Sequence, residues 1–297
     1  MRLSLTDRED WNFLVTNYVP RRLLTRLMGW FSAIESPWLT RISIAVWRLF
    51  VDDLDLSDAR RGEHEFRSLR ECFVRELRDD ARPVDAAPDA VVSPCDAVLG
   101  AHGDLAGREL FQIKGSPYAL EDLVPDARLI ERFAGGRFVT LRLRSTMYHR
   151  FHAPVDCRVD EVTYVSGDTF NVNPPTLRRI EGLFTRNERA LLPLRVDDAV
   201  ELLLVPVAAI LVASLRLHCL PAPLDVNWRG PNRLACDAAY ARGAEMGWFE
   251  HGSTIVMLTT RRYEFVAGIE EGREIRMGRT LMRRITADAN DPQAEAA

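Results

Sequence analysis

From Pro83 onward the chain is a succession of short apolar runs, AVVSPCDAVLGAH, GRFVTLRLR, CRVDEVTYV, VELLLVPVAAILVASL, STIVML and YEFVAG, each bounded by Gly, Pro, Asn or Asp. Runs of this length, rich in β-branched residues and closed by turn formers, make strands. They lack the strand and helix alternation of a doubly wound sheet, so a mostly β domain is expected over residues 83–297. The longest run, LLLVPVAAILVASL at 202–215, contains Pro206. It falls short of the roughly 18 to 20 apolar residues a membrane-spanning helix requires and reads as one or two buried strands.

The first 82 residues have a different texture. Between Tyr18 and Phe50, Leu23, Leu24, Leu27, Trp30, Phe31 and Ile34 recur at three-to-four spacing, while Arg21, Arg22 and Arg26 take other positions. That spacing predicts an amphipathic helix, with a break at Pro37 before a second helix carrying Trp38, Ile42, Val46, Trp47 and Phe50. A third, short helix is expected from Phe66 to Leu77, ending before Pro83. The fold class is therefore α+β, with N-terminal amphipathic helices followed by a β-rich domain. In the Tyr18–Phe50 block five arginines face one acid, Glu35, although the whole chain carries a net charge of −4. Arginine beside tryptophan and phenylalanine suits lipid headgroups, which makes residues 1–82 a candidate membrane-docking region around Arg21, Arg22, Arg26, Trp30 and Phe31. The alternative is that these helices simply pack on the rest of the protein.

The slight overall acidity argues against nucleic acid as a partner. The five cysteines, at 72, 95, 157, 219 and 236, form no CxxC pair and no zinc-spaced Cys/His cluster, so neither a disulfide framework nor a metal is expected. A reducing cytosolic setting fits, and the N-terminal residues lack a secretory signal pattern. Lys114 is the only lysine, leaving few candidates for a pyridoxal Schiff base.

Three segments could carry chemistry: SPCDAV around Asp96, MYHRFHAPVD around His149 and His152, and EHGSTI around Ser253. Together they offer an acid, a base and a hydroxyl, and a serine alcohol becomes nucleophilic when an imidazole takes its proton. Singly, each has a plainer explanation, as a turn, a cap or a structural histidine pair. The nucleophile-elbow pattern G-x-S-x-G is absent around Ser253, because positions 251 and 255 are His and Ile.

Taken together, VPRRLLTRLMGWF, FVRELRDDARPVD, SPCDAVLG, IKGSPYALEDL, YHRFHAPVD, LFTRNERALL and AEMGWFEHGSTIVML resemble the phosphatidylserine decarboxylase family of pyruvoyl-dependent enzymes over nearly the full length. The resemblance implies that Ser253 becomes a pyruvoyl group when the chain cleaves itself at Gly252-Ser253, leaving residues 1–252 and 253–297 as a heterodimer. It implies that Asp96 and His152 complete the processing triad and that His149 assists decarboxylation or protonation. It further implies phosphatidylserine as substrate, bound through a Schiff base, phosphatidylethanolamine as product, a homodimer of the processed pair, and a peripheral place on the cytoplasmic face of the bacterial inner membrane. Two positions depart from the family pattern: His251 precedes the glycine where bacterial members usually have leucine, and Ala97 follows the aspartate where many have glycine. Three other classes stay open on the residues alone: a serine hydrolase using Ser253, His152 and Asp96 without self-cleavage, a non-catalytic lipid-binding module, and a pyruvoyl decarboxylase of a soluble amino acid.

Overall fold

The computed structural model describes residues 21–105, 107–111, 117–209, 214–225, 227–250 and 253–285. Gly252 and His251, the tail after residue 285, and the side chains of Arg21 and Arg22 lie outside the described residues.

Two helices open the described chain, α1 (Arg21–Ser32) and α2 (Pro37–Arg48). Ser36 caps α2, its hydroxyl accepting from the Leu39 amide, and Pro37 occupies the first turn, where its missing N–H costs nothing. The apolar stripe of α1 is divided, with Leu24 and Phe31 half-buried. Thr25 and Ser32 are buried against the body, whereas Leu23, Leu27 and Trp30 are exposed, Trp30 at 68%. The helix expected over 66–77 is reduced to α3 (Leu69–Phe73), because Ser68 caps it and Phe66 is drawn into a small core with Ile44, Leu56, Ala59 and Cys72.

The strands are β1 (Ala90–Val92), β2 (Ala97–Asp104), β3 (Glu109–Phe111), β4 (Pro117–Ala119), β5 (Arg137–Leu143), β6 (Arg150–His152), β7 (Cys157–Val165), β8 (Arg189–Val196) and β9 (Ala199–Ala208). They continue as β10 (Ser214–Leu217), β11 (Leu224–Asp225), β12 (Arg233–Tyr240), β13 (Glu245–Phe249), β14 (Ser253–Thr259), β15 (Tyr263–Phe265), β16 (Glu274–Ile275) and β17 (Thr280–Arg284).

An eight-stranded antiparallel sheet, ordered β12-β7-β8-β9-β14-β5-β2-β16, forms the main layer. A second sheet, β11-β10-β13-β6, and a third, β1-β17-β15, complete the β domain. β14 lies near the middle of the main sheet and is buried along all seven residues, which is why STIVML is continuously apolar from Ile255 rather than alternating. Edge strand β12 alternates between exposed and half-buried positions, as expected where one face meets solvent.

The chain leaves the second sheet at Phe249, the end of β13, and enters the main sheet at Ser253. This crossing between two sheets contains the Gly252-Ser253 bond.

Candidate active site

Ser253 opens β14 with Leu143 of β5 on one side and Ala208 of β9 on the other. It is fully buried, and its Oγ has no hydrogen-bond partner among the described residues. The hydroxyls of Thr254 and Thr259 on the same strand share that state, so what sets Ser253 apart is its place as the first residue of β14, directly after the crossing between sheets.

His152 ends β6. Its backbone N–H donates to the Pro94 carbonyl at 2.8 Å, which draws the SPCD loop against this strand. Its Nδ1 lies 2.9 Å from the Gly243 carbonyl oxygen, and a carbonyl only accepts, so Nδ1 carries the proton. Nε2 is then an acceptor, and the Tyr148 hydroxyl donates to it at 2.9 Å. Burial pushes the His152 pKa below its ordinary value, outweighing the Gly243 carbonyl and the Glu245 carboxylate, which both favour the charged ring. The imidazole is thus a neutral base at neutral pH.

Asp96 is buried with Arg82, which donates from Nε at 2.9 Å and from Nη2 at 2.6 Å, while the Met277 amide donates at 2.9 Å. Arg82 also reaches Asp58 at 2.7 Å. Burial disfavours the Arg82 charge, but hydrogen bonds and attraction to Asp96 and Asp58 prevail and raise its basicity. The Asp96 carboxylate makes no hydrogen bond to His152; it acts on the imidazole through space, more weakly than Glu245, which stands opposite His152 in the β6–β13 pairing.

His149 is buried three residues before His152, with Nδ1 2.8 Å from the Met147 carbonyl and its ring centroid 4.1 Å from that of Phe73. Its own carbonyl accepts from the Phe249 amide at 3.1 Å, tying it to the end of β13 just before the crossing. The structure therefore gathers Asp96, His149 and His152 around the 94–96 loop, β6 and β13.

A cavity of about 820 Å³ lies between α1, α2 and the main sheet. Leu143, opposite Ser253, and Ala209, following the other partner Ala208, both line it, as do Phe73, Phe31 and Trp47. Its volume and apolar walls suit a ligand with hydrocarbon chains.

Tyr148 and Arg82 were not singled out in the sequence, although both sit inside conspicuous segments, MYHRFH and RDDAR. Tyr148 adjoins His149, and a tyrosine beside two histidines was the available signal. For Arg82 there was none, because its pairing with Asp96 is decided by tertiary contact.

The family model for phosphatidylserine decarboxylase matches residues 69–283, and a second model, described as PSD, matches residues 13–50. This chain belongs to the phosphatidylserine decarboxylase family. The phosphatidylserine decarboxylase proenzyme of Brevibacillus brevis is 31% identical over 267 residues, covering 89% of this chain and 94% of the relative. Those of Shewanella sp. strain MR-4 and Shewanella baltica strain OS155 are 34% and 35% identical over 277 residues, covering 89% of this chain and 93% of each relative. The activity class is accordingly that of a decarboxylase, a lyase. The decarboxylase model spans Asp96, His149, His152 and Ser253, and the shorter one spans α1 and α2.

Proposed function

We propose that the chain decarboxylates phosphatidylserine to phosphatidylethanolamine with a pyruvoyl group derived from Ser253 by self-cleavage at Gly252-Ser253. The observation that carries this reading is the placement of Ser253, buried as the first residue of β14 where the chain has crossed between sheets, within the stretch the decarboxylase family model matches. An α-keto carbonyl at residue 253 supplies the electron sink that decarboxylation of an amine-bearing substrate requires.

In processing, His152 takes the Ser253 hydroxyl proton at Nε2, which requires the Tyr148 hydroxyl to yield that position. Ser253 Oγ bonds to the Gly252 carbonyl carbon and the amide C–N bond breaks, converting amide to ester. Removal of the Ser253 α-proton then breaks the Cβ–O bond, releasing Gly252 as a carboxylate. The remaining dehydroalanine hydrolyses with loss of ammonia. Asp96 acts by fixing the loop before β2 through Arg82 and Met277, and by its charge near His152. His149 is the proposed proton donor in the decarboxylation.

Seven residues of β14, Ser253–Thr259, pair on both sides with β5 and β9. That pairing would hold residues 253–297 to residues 1–252 after the backbone is cut, as a heterodimer. A homodimer of this pair belongs to the same proposal.

The substrate stays in a bilayer, and no described helix is long and apolar enough to cross one. The outward Leu23, Leu27 and Trp30 of α1, with Trp38, Leu49 and Phe50 from α2 and its end, form the proposed docking surface, with Arg41 exposed beside them. Phe31 lines the cavity, and Arg26 donates to Asn227 at 2.7 Å. The protein would thus be peripheral on the cytoplasmic face of the inner membrane.

Intact-mass measurement tests the central claim. Self-cleavage gives a C-terminal fragment of about 5 kDa, residues 253–297 of a 33.7 kDa chain, whose blocked N-terminus reacts as a ketone. An uncut chain that turns over phosphatidylserine would overturn the pyruvoyl mechanism.

A further inference from the structure

Arg142 lines the cavity from β5, opposite Thr254 and next to the Leu143–Ser253 pair. No carboxylate partners its guanidinium among the described residues. Arg144, two residues on, is by contrast held by Asp53 at 3.1 Å and by Glu274. Burial, and then repulsion from Arg144, lowers the basicity of Arg142. Much of the cavity wall is apolar, including Leu39, Ile42, Val46 and Val172. Arg142 is half-buried, so its charge is only partly solvated, and an anion entering the cavity offsets that loss.

We propose that Arg142 binds the phosphodiester of a phospholipid whose acyl chains occupy the apolar part of the cavity, a proposal that rests on the decarboxylase reading above. The carboxylate is the weaker candidate for this contact. It loses its charge as carbon dioxide departs, so a cation gripping it would favour the ground state over the transition state and slow the reaction. A phosphodiester keeps its charge throughout and matches the planar fork of a guanidinium. Arg142 is therefore a binding residue that holds the headgroup one strand away from Ser253.

Calorimetric titration of the purified full-length protein, Arg142→Gln and Arg142→Lys tests this with three probes: short-chain phosphatidylethanolamine, short-chain diacylglycerol and inorganic phosphate. Arg142→Gln is expected to weaken phosphatidylethanolamine binding by about ten- to a hundredfold, the worth of a charge-assisted hydrogen bond. Arg142→Lys should recover part of that loss, diacylglycerol binding should not change, and inorganic phosphate alone should bind far more weakly than the lipid. Unchanged phosphatidylethanolamine affinity, an equal loss for diacylglycerol, or inorganic phosphate binding as tightly as lipid would each overturn the assignment. Fragment formation in the same samples reports whether the variants fold. The decarboxylase reading fails separately, if wild-type protein releases no carbon dioxide from phosphatidylserine.

Discussion

The Tyr148 hydroxyl sits 2.9 Å from Nε2 of His152, on the ring nitrogen that a base acting on Ser253 would use. Because Nδ1 is committed to the Gly243 carbonyl, Nε2 is the basic atom, and Tyr148 stabilises the neutral ring while occupying its lone pair. Replacing Tyr148 with Phe leaves a buried acceptor without its donor, which costs about 1 to 3 kcal/mol. Urea denaturation of Tyr148→Phe should show that loss, and self-cleavage should persist because the base survives. If cleavage stopped as completely as in His152→Ala, Tyr148 would be moving the proton itself.

Acid should destabilise the protein through His152. Burial holds its folded pKa below the ordinary value of 6.5, so below that pH the unfolded chain binds a proton that the folded chain still refuses. The contribution of His152 to stability is therefore complete above pH 6.5 and is lost as pH falls from 6.5 towards the folded pKa. The difference in unfolding free energy between wild type and His152→Gln, followed against pH, should decline in that acidic window and stay flat above it. The self-cleavage rate should likewise fall only below pH 6.5. An acid limb centred above 6.5 would mean that a different group supplies the base.

Ser253→Ala separates chemistry from stability. The hydroxyl is buried without a partner among the described residues, so alanine removes an unsatisfied polar group and loses no bond seen there. We expect the variant to remain uncut and inactive, yet to melt no lower than the uncut wild-type chain, with a gain of up to about 1 kcal/mol. Cleavage in Ser253→Ala would show that another group attacks the backbone.

What the sequence made legible were features decided locally. STIVML, GRFVTLRLR and CRVDEVTYV are strands because their apolar and β-branched residues are buried in one sheet, and the break at Pro37 follows from its fixed φ and the Ser36 cap. β12, RLACDAAY, escaped because its half-buried Leu234, Cys236, Ala238 and Tyr240 alternate with exposed Arg233, Ala235, Asp237 and Ala239, so no continuous apolar run announces it. The periodicity of α1 revealed an apolar face but not its direction. That depends on Thr25 and Ser32 packing inward, which is tertiary. The candidate acid, base and hydroxyl were readable as residue types in three segments. The partners of Asp96 and His152 were not, because Arg82 lies 14 residues from Asp96 and Gly243 lies 91 from His152.

Arg82 joins the helical segment to the β domain. Its side chain and that of Asp96 are each only 9% exposed, and Arg82 also spans to Asp58. Removing one partner of a buried ion pair strands the other charge, at a cost of about 3 kcal/mol or more. Arg82→Ala should lower the unfolding free energy by that amount and slow self-cleavage by loosening the loop that positions Asp96. Preserved stability would show that solvent enters and compensates the carboxylate.

The outward apolar face of α1 and α2 gives the last prediction. Trp30, Trp38, Leu49 and Phe50, on two consecutive helices and the residues that follow, are 68%, 72%, 80% and 82% exposed. Each contributes to insertion through its apolar area, about 25 cal/mol per Å² removed from water. Their burial at a bilayer surface should therefore dominate, with Arg41 adding attraction to anionic lipid. Replacing Trp30 and Phe50 together by serine should weaken flotation with anionic liposomes by at least about tenfold, and should leave self-cleavage intact because neither side chain lines the cavity. High salt should weaken binding of the wild type only in part, since insertion is not electrostatic. Undiminished flotation of the double variant would assign membrane contact to another surface.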